Sequence, residues 1–144
     1  MSASIVTLGL PHHIGVVVKD VEQTAEFLSL TLGIGPWEIS RNLIFKEMFV
    51  GQPFRLNAAH ANLESVELEL LQPLEEGSLW GQFLKTKGEG LHHIAFKVSN
   101  WDERVSELRK QANMVVGGIN PYGKRWAYFE IKPGGIIVEL DENI

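Results

Sequence analysis

His12-His13-Ile14 and His92-His93-Ile94 are the same three residues, eighty positions apart. Each is followed by a small residue and an apolar run, Gly15-Val16-Val17-Val18 in one place and Ala95-Phe96-Lys97-Val98 in the other. Carboxylates repeat in the same way. Val66-Glu67-Leu68-Glu69-Leu70 aligns with Ile136-Ile137-Val138-Glu139-Leu140, which matches Glu69 to Glu139. A carboxylate inside an apolar strand is costly unless it is paired or bound to a metal. Two imidazoles with two carboxylates suit Zn, Ni, Co, Mn or Fe(II). The chain has no cysteine, so thiolate sites, disulfides and cysteine nucleophiles are excluded.

Strand phase selects among these residues, because side chains alternate across a strand. Ile14, Val16 and Val18 form an apolar face for a helix, and His12 shares their phase. His13, Gly15, Val17 and Lys19 take the other face. In the second copy Ile94, Phe96 and Val98 go with His92, and His93, Ala95 and Lys97 oppose them. The small residue two places after each selected histidine leaves room for something bound. Val66, Leu68 and Leu70, and likewise Ile136, Val138 and Leu140, are helix faces, which leaves Glu67, Glu69, Ile137 and Glu139 opposite. The predicted metal ligands are therefore His13, Glu69, His93 and Glu139, on the concave face of a repeated sheet.

The elements that position them read as strand, helix and three strands, twice. Asp20 and Asn100 are good helix N-caps, with Gln23 and Glu103 three residues on. Val21, Ala25, Leu28 and Leu32 make one helix face, and Trp101, Val105, Leu108 and Ala112 fall at the same offsets. Gly33 ends the first helix, and the second ends near Ala112 or Asn113. Strands are predicted near 36–45, 53–61 and 65–71, and near 114–118, 125–131 and 135–140. A short helix in the connection starts at Ser78, presents Leu79 and Phe83 on one face, and stops at Gly88. The fold class is α+β: two βαβββ modules, one about 11–73 and one about 91–144, with a linker helix within 74–90. They make a single domain, 1–144, whose cupped, incompletely closed mixed sheet surrounds the metal site.

Composition narrows the partners. Lys plus Arg is 13 and Asp plus Glu is 18, a net charge of −5. Nucleic-acid binding needs a dense basic face and is excluded. No apolar run is long enough to span a bilayer. The start, Met1-Ser2-Ala3-Ser4-Ile5-Val6, lacks the basic and long apolar parts of a signal peptide, so a cytoplasmic location is expected. Open strand edges predict a homodimer.

Other residues have plainer readings. His12 and His92 face the helix layer or support a neighbour through a hydrogen bond. Glu67 is a solvated charge at a strand edge. His60 is a lone structural histidine, with an acid–base role from the third strand as its alternative. Trp37, Trp80, Trp101 and Trp126 are packing residues rather than stacking platforms. Lys124-Arg125 is a solvated loop end, with recognition of an anionic substrate as the alternative.

The two His-His-Ile strands, Glu69-Leu70-Leu71-Gln72-Pro73, the run from Gly88 to Ala95 and the run from Gly135 to Leu140 resemble the vicinal oxygen chelate superfamily (glyoxalase/bleomycin resistance/dioxygenase). Within it they look most like the methylmalonyl-CoA epimerases and glyoxalase I-like proteins. The similarity runs from about Pro11 to the end. It implies a divalent metal at His13, Glu69, His93 and Glu139, and a small carbonyl substrate such as an acyl-CoA. The implied reaction is removal of a proton next to the carbonyl, with the metal stabilising the enolate and Glu139 as general base. The epimerase pattern also has a carboxylate on the third strand of the first module. Here that strand carries Arg55, Asn57 and His60, and Glu47 just before it could reach in. A glyoxalase I-like lyase is the alternative with the same site. An Fe(II) extradiol dioxygenase needs two histidines and one carboxylate, so the extra ligand Glu69 argues against it. A non-catalytic, drug-sequestering binding protein is a further alternative, and the full ligand set argues against that.

Overall fold

Residues 5–143 are described by a computed structural model with nine strands and three helices. β1 (Pro11–Val17), α1 (Val21–Leu32), β2 (Trp37–Phe45), β3 (Glu47–Val50), β4 (Phe54–Asn62) and β5 (Glu67–Pro73) come first. α2 (Leu79–Lys87) leads to β6 (Gly90–Val98), α3 (Trp101–Arg109), β7 (Asn113–Ile119), β8 (Arg125–Ile131) and β9 (Ile136–Glu142). Met1–Ser4, on which the reading of the chain's start partly rests, lie outside the described residues.

One curled sheet holds all nine strands, in the order β2-β4-β5-β1-β6-β9-β8-β7-β3. β1 with β5 and β6 with β9 are parallel, and every other pair is antiparallel. The α+β cup of two βαβββ units expected from the repeat is thus present, joined at its centre by β1 and β6. β3 is an addition to that expectation. It leaves the first half and pairs with β7 at the far edge of the second. Glu47 lies on β3 with an exposed side chain opposite Ile119 and does not reach the cup interior.

Alternation sorts each strand into two environments. Val18, Val21, Ala25, Ala59 and Leu70 pack between α1 and the outside of the sheet. Val98, Trp101, Met114, Phe129 and Leu140 do the same beneath α3. The inner face has its own apolar cluster, including Val17, Phe54, Leu56, Leu71, Trp80, Trp126 and Tyr128. Trp80, Trp101 and Trp126 are buried packing residues, as expected, and Trp37 is partly buried.

The helices follow their predicted caps and faces with four differences. The Asp20 side chain accepts from Gln23 N, and Gly33 closes α1 in the left-handed region at φ 67°. Asn100 also sits in the left-handed region and makes no side-chain capping bond. α3 stops at Arg109, so Ala112 packs on the core from the following turn rather than from the helix. Leu32 is exposed, so the packed face of α1 runs only as far as Leu28. In α2 Ser78 caps as expected, but Trp80 rather than Leu79 is the buried anchor, filling the floor of the cup.

Candidate metal centre

The central strand pair brings the two histidines together. β1 and β6 are antiparallel, with His13 opposite Ala95 and Gly15 opposite His93. Each histidine therefore has a small residue as its cross-strand neighbour. A Cβ at Gly15 would collide with the His93 ring, so the room left by this glycine belongs to His93 and not to a bound molecule. Parallel pairing then adds the carboxylates. Gly15 is beside Glu69, and Ala95 is beside Glu139.

The four side chains meet in an alternating ring. His13 Nε2 lies 3.2 Å from Glu139 Oε1 and 3.4 Å from Glu69 Oε1. His93 Nε2 lies 3.0 Å from Glu139 Oε1 and 3.3 Å from Glu69 Oε1. His13, His93 and Glu139 are buried, and Glu69 is nearly so. Two donors each about 2.1 Å from one ion stand about 3.0–3.4 Å apart at right or tetrahedral angles. The four edges match that spacing, and the nitrogen and oxygen donors suit a borderline divalent cation. The residues fit such an ion.

A surrounding layer holds these groups. His60 Nε2–H donates to Glu69 Oε2 at 2.8 Å, which leaves Oε1 for the centre. His60 is therefore part of the site rather than a lone structural residue. Register explains it, since His60 is opposite Glu69 across β4 and β5. The equivalent partner of Glu139 is Tyr128, whose hydroxyl is 3.4 Å from His93 Nε2 and 3.3 Å from Trp80 Nε1. Asp141 is a further member of the site that strand phase alone does not single out. It shares the face of Glu139 two residues on, hydrogen-bonds it, and lies 3.9 Å from His13 Nδ1. A polar residue at that phase was the available signal. Glu67 is not simply solvated, because it pairs with His12 Nε2 at 3.0 Å. His12 lines the cup, contrary to the helix-layer reading, whereas His92 packs edge-on to Phe83 of α2.

Protonation follows from this geometry. Burial would lower His93, but hydrogen bonds to Glu139 and Glu69 outweigh it and raise its pKa to about 9. His13 is raised against burial by Glu69 and Glu139. Burial would raise Glu69 and Glu139, yet their histidine partners hold both carboxyls well below the usual range. Burial and the hydrogen-bonded neighbour Glu139 push the Asp141 carboxyl up from the usual range.

The centre opens into a cavity of about 360 Å³ walled by Leu43, Phe45, Phe54, Leu56, Trp126 and Tyr128. That volume is in the range of small-molecule sites. Lys97, Lys124 and Arg125 stand among the lining residues. Arg125 is not a free loop charge, since it pairs with Glu142 at 2.7 Å and Asp102 at 3.0 Å. No described helix is long and apolar enough to cross a membrane.

Known proteins share this architecture. Human mitochondrial methylmalonyl-CoA epimerase is 31% identical over 147 residues, covering 99% of this chain and 78% of that protein. The Bacillus subtilis protein YqjC is 32% identical over 136 residues, covering 90% of this chain and 89% of its own. A variant of Streptomyces coelicolor methylmalonyl-CoA epimerase, solved with 2-nitronate-propionyl-CoA, superposes with a TM-score of 0.70 at 26% identity. That match covers 95% of this chain and 99% of the other. The sequence profile of the glyoxalase/bleomycin resistance protein/dioxygenase superfamily matches residues 12–129, and the chain belongs to that superfamily.

Proposed function

We propose that this protein is a divalent-metal-dependent epimerase that removes and returns the proton α to the carbonyl of a small acyl-CoA, as a methylmalonyl-CoA epimerase does. The observation that carries the reading is the convergence of His13, Glu69, His93 and Glu139 at a buried centre that opens into an apolar cup. Those four residues would hold the ion. A divalent ion there supplies Lewis acidity toward a substrate carbonyl and offsets the negative charge of an enolate.

The chain's own residues do the rest. Glu139 is kept ionised by His13 and His93, so it is a carboxylate ready to accept the α-proton. Asp141 holds Glu139 from behind by a hydrogen bond. Glu69, tied at one oxygen to His60, is a fixed ligand rather than a mobile base. The apolar walls exclude water from the reacting carbon. Open outer edges at β2 and β3, with Phe27 and Leu30 exposed on α1, support a homodimer, which sedimentation velocity tests.

The test is exchange of the α-proton of methylmalonyl-CoA in deuterated buffer, with Co, Ni, Zn, Mn or Fe(II) supplied in turn. Metal-dependent exchange with equilibration of the two C2 epimers is expected. One observation favours a second reading. Epimerisation needs proton-handling groups on both faces of the carbon, and β4 carries no carboxylate at the cup. A one-base proton shift, as in a glyoxalase I-like lyase, needs only one face. Turnover of a glutathione hemithioacetal without exchange in the acyl-CoA would select it.

A further inference from the structure

The paired histidines are adjacent in sequence, yet neighbouring residues on a regular strand point to opposite faces. Two irregularities in the β1–β6 ladder account for this. Pairing passes from Pro11 to His13 on β1 while β6 advances one residue, from Phe96 to Ala95. It passes from His93 to Leu91 on β6 while β1 advances one, from Gly15 to Val16. His12 and His92 are thus the skipped residues of two β-bulges, one on each strand. Bulges re-aim a side chain. Here each turns an imidazole onto the back of the metal-facing one: His12 Nδ1 is 2.8 Å from His13 Nδ1, and His92 Nδ1 is 3.1 Å from His93 Nδ1.

We infer that His12 and His92 are positioning residues that fix the tautomer of His13 and His93, so that both Nε2 lone pairs are presented to the centre. The inference rests on the metal reading of that centre. A nitrogen–nitrogen contact of this length carries one proton and one lone pair. If His13 Nε2 is a ligand, its proton is on Nδ1, and His12 Nδ1 accepts it. Neutral His12 then carries its own proton on Nε2, which faces Glu67 Oε2 at 3.0 Å, where a donor is needed. The chain of donors closes as His13 to His12 to Glu67. The other acceptor near His13 Nδ1, Asp141 Oδ2, is out of hydrogen-bond range at 3.9 Å. His92 plays the same part for His93, braced by the Phe83 ring at 4.8 Å instead of by a carboxylate. Partners behind a metal-binding histidine orient the ring and commonly change metal affinity 10–100-fold.

Long-range proton–nitrogen spectra of the histidine side chains, recorded on metal-free and zinc-loaded protein, test this without any variant. Expected are neutral His12 and His92 protonated at Nε2 in both forms, with His13 and His93 protonated at Nδ1 when zinc is bound. A proton on Nδ1 of His12 and His92 would overturn the inference. Zinc affinity supplies the second arm. His12→Leu and His92→Leu should each weaken binding by about 10–100-fold, and His12→Asn, whose Oδ1 accepts in place of Nδ1, should restore it. Leu variants that bind zinc like the wild type would overturn the inference, as would an Asn variant as weak as Leu. Wild-type protein that binds no zinc would instead refute the metal reading. The metal-free spectrum then decides the placement of the protons by itself.

Discussion

Glu69 faces His60 across one strand pair, and Glu139 faces Tyr128 across the equivalent pair. The acids differ in their neighbours along the strand as well. Two residues before Glu69 is Glu67, engaged by His12, whereas that place before Glu139 is Ile137. Two residues after Glu69 is the core residue Leu71, whereas that place after Glu139 is Asp141. The first half therefore grips its carboxylate with a nitrogen donor and leaves it one free oxygen. The second backs its carboxylate with the partly buried carboxyl group of Asp141, while the Tyr128 hydroxyl meets His93 rather than the acid. Repetition of the fold places two equivalent His–Glu pairs around one centre. Under the proposed function, the unequal neighbours would make Glu69 the fixed ligand and Glu139 the proton acceptor.

The sharpest challenge to this division is a matched pair of variants. Glu139→Gln should lower the rate of α-proton exchange by about 10²–10⁴-fold, the usual worth of a general base. Glu69→Gln keeps a ligand oxygen and should cost much less. Equal losses would mean that the two halves are chemically interchangeable. Gly15→Ala comes next. The added methyl would press on the His93 ring and should cost about 1–3 kcal/mol of stability, as overpacking does. Thermal unfolding measures the cost, and metal content should fall with it. No change in either would mean that His93 is not held against Gly15.

The outer partners sharpen the comparison further. His60→Leu removes the hold on Glu69 Oε2 and should weaken metal binding by about 10–100-fold. Tyr128→Phe removes a longer contact, 3.4 Å against 2.8 Å, and should have the smaller effect. Competition with a chromophoric chelator reads both. A larger loss at Tyr128 would reverse the assignment of roles.

The smallest effect concerns pH. His93 rises from 6.5 to about 9 in the folded, metal-free protein. Its contribution to stability is complete below pH 6.5 and is lost as pH climbs through about 9. Glu69 and Glu139 are lowered from 4.5, so their contributions hold above that value and disappear in acid. Metal-free protein should therefore be most stable between about pH 4.5 and 6.5, with melting temperature falling toward pH 9. Zinc should flatten the alkaline slope, because a metal-bound histidine is already deprotonated. An alkaline slope unchanged by zinc would contradict the protonated His93.

Much of this could be read from the chain because the evidence was local or repeated. Period-two alternation put His13 and His93 on the face away from the helices, and the aligned strands put Glu69 and Glu139 beside them. What could not be read depends on register between distant strands. His60 reaches Glu69 only because β4 pairs with β5 as it does. The bulges that turn His12 and His92 depend on how β1 meets β6. The four residues of β3 find their partner only in β7 of the other half, so nothing local marks them as a strand. Gly15 leaves space beside its strand, and only the antiparallel central pair shows that His93 fills it. Asp141 is different, since its phase relative to Glu139 is legible in the sequence itself.

The central claim is that four residues from two repeats form one divalent-metal site. Elemental analysis after stripping and reloading tests it most directly, with Glu139→Ala measured alongside. The account predicts one ion per chain in the wild type and a weakened or empty site in the variant. No bound ion in the wild type under any of the five metals, or full occupancy in the variant, would contradict it.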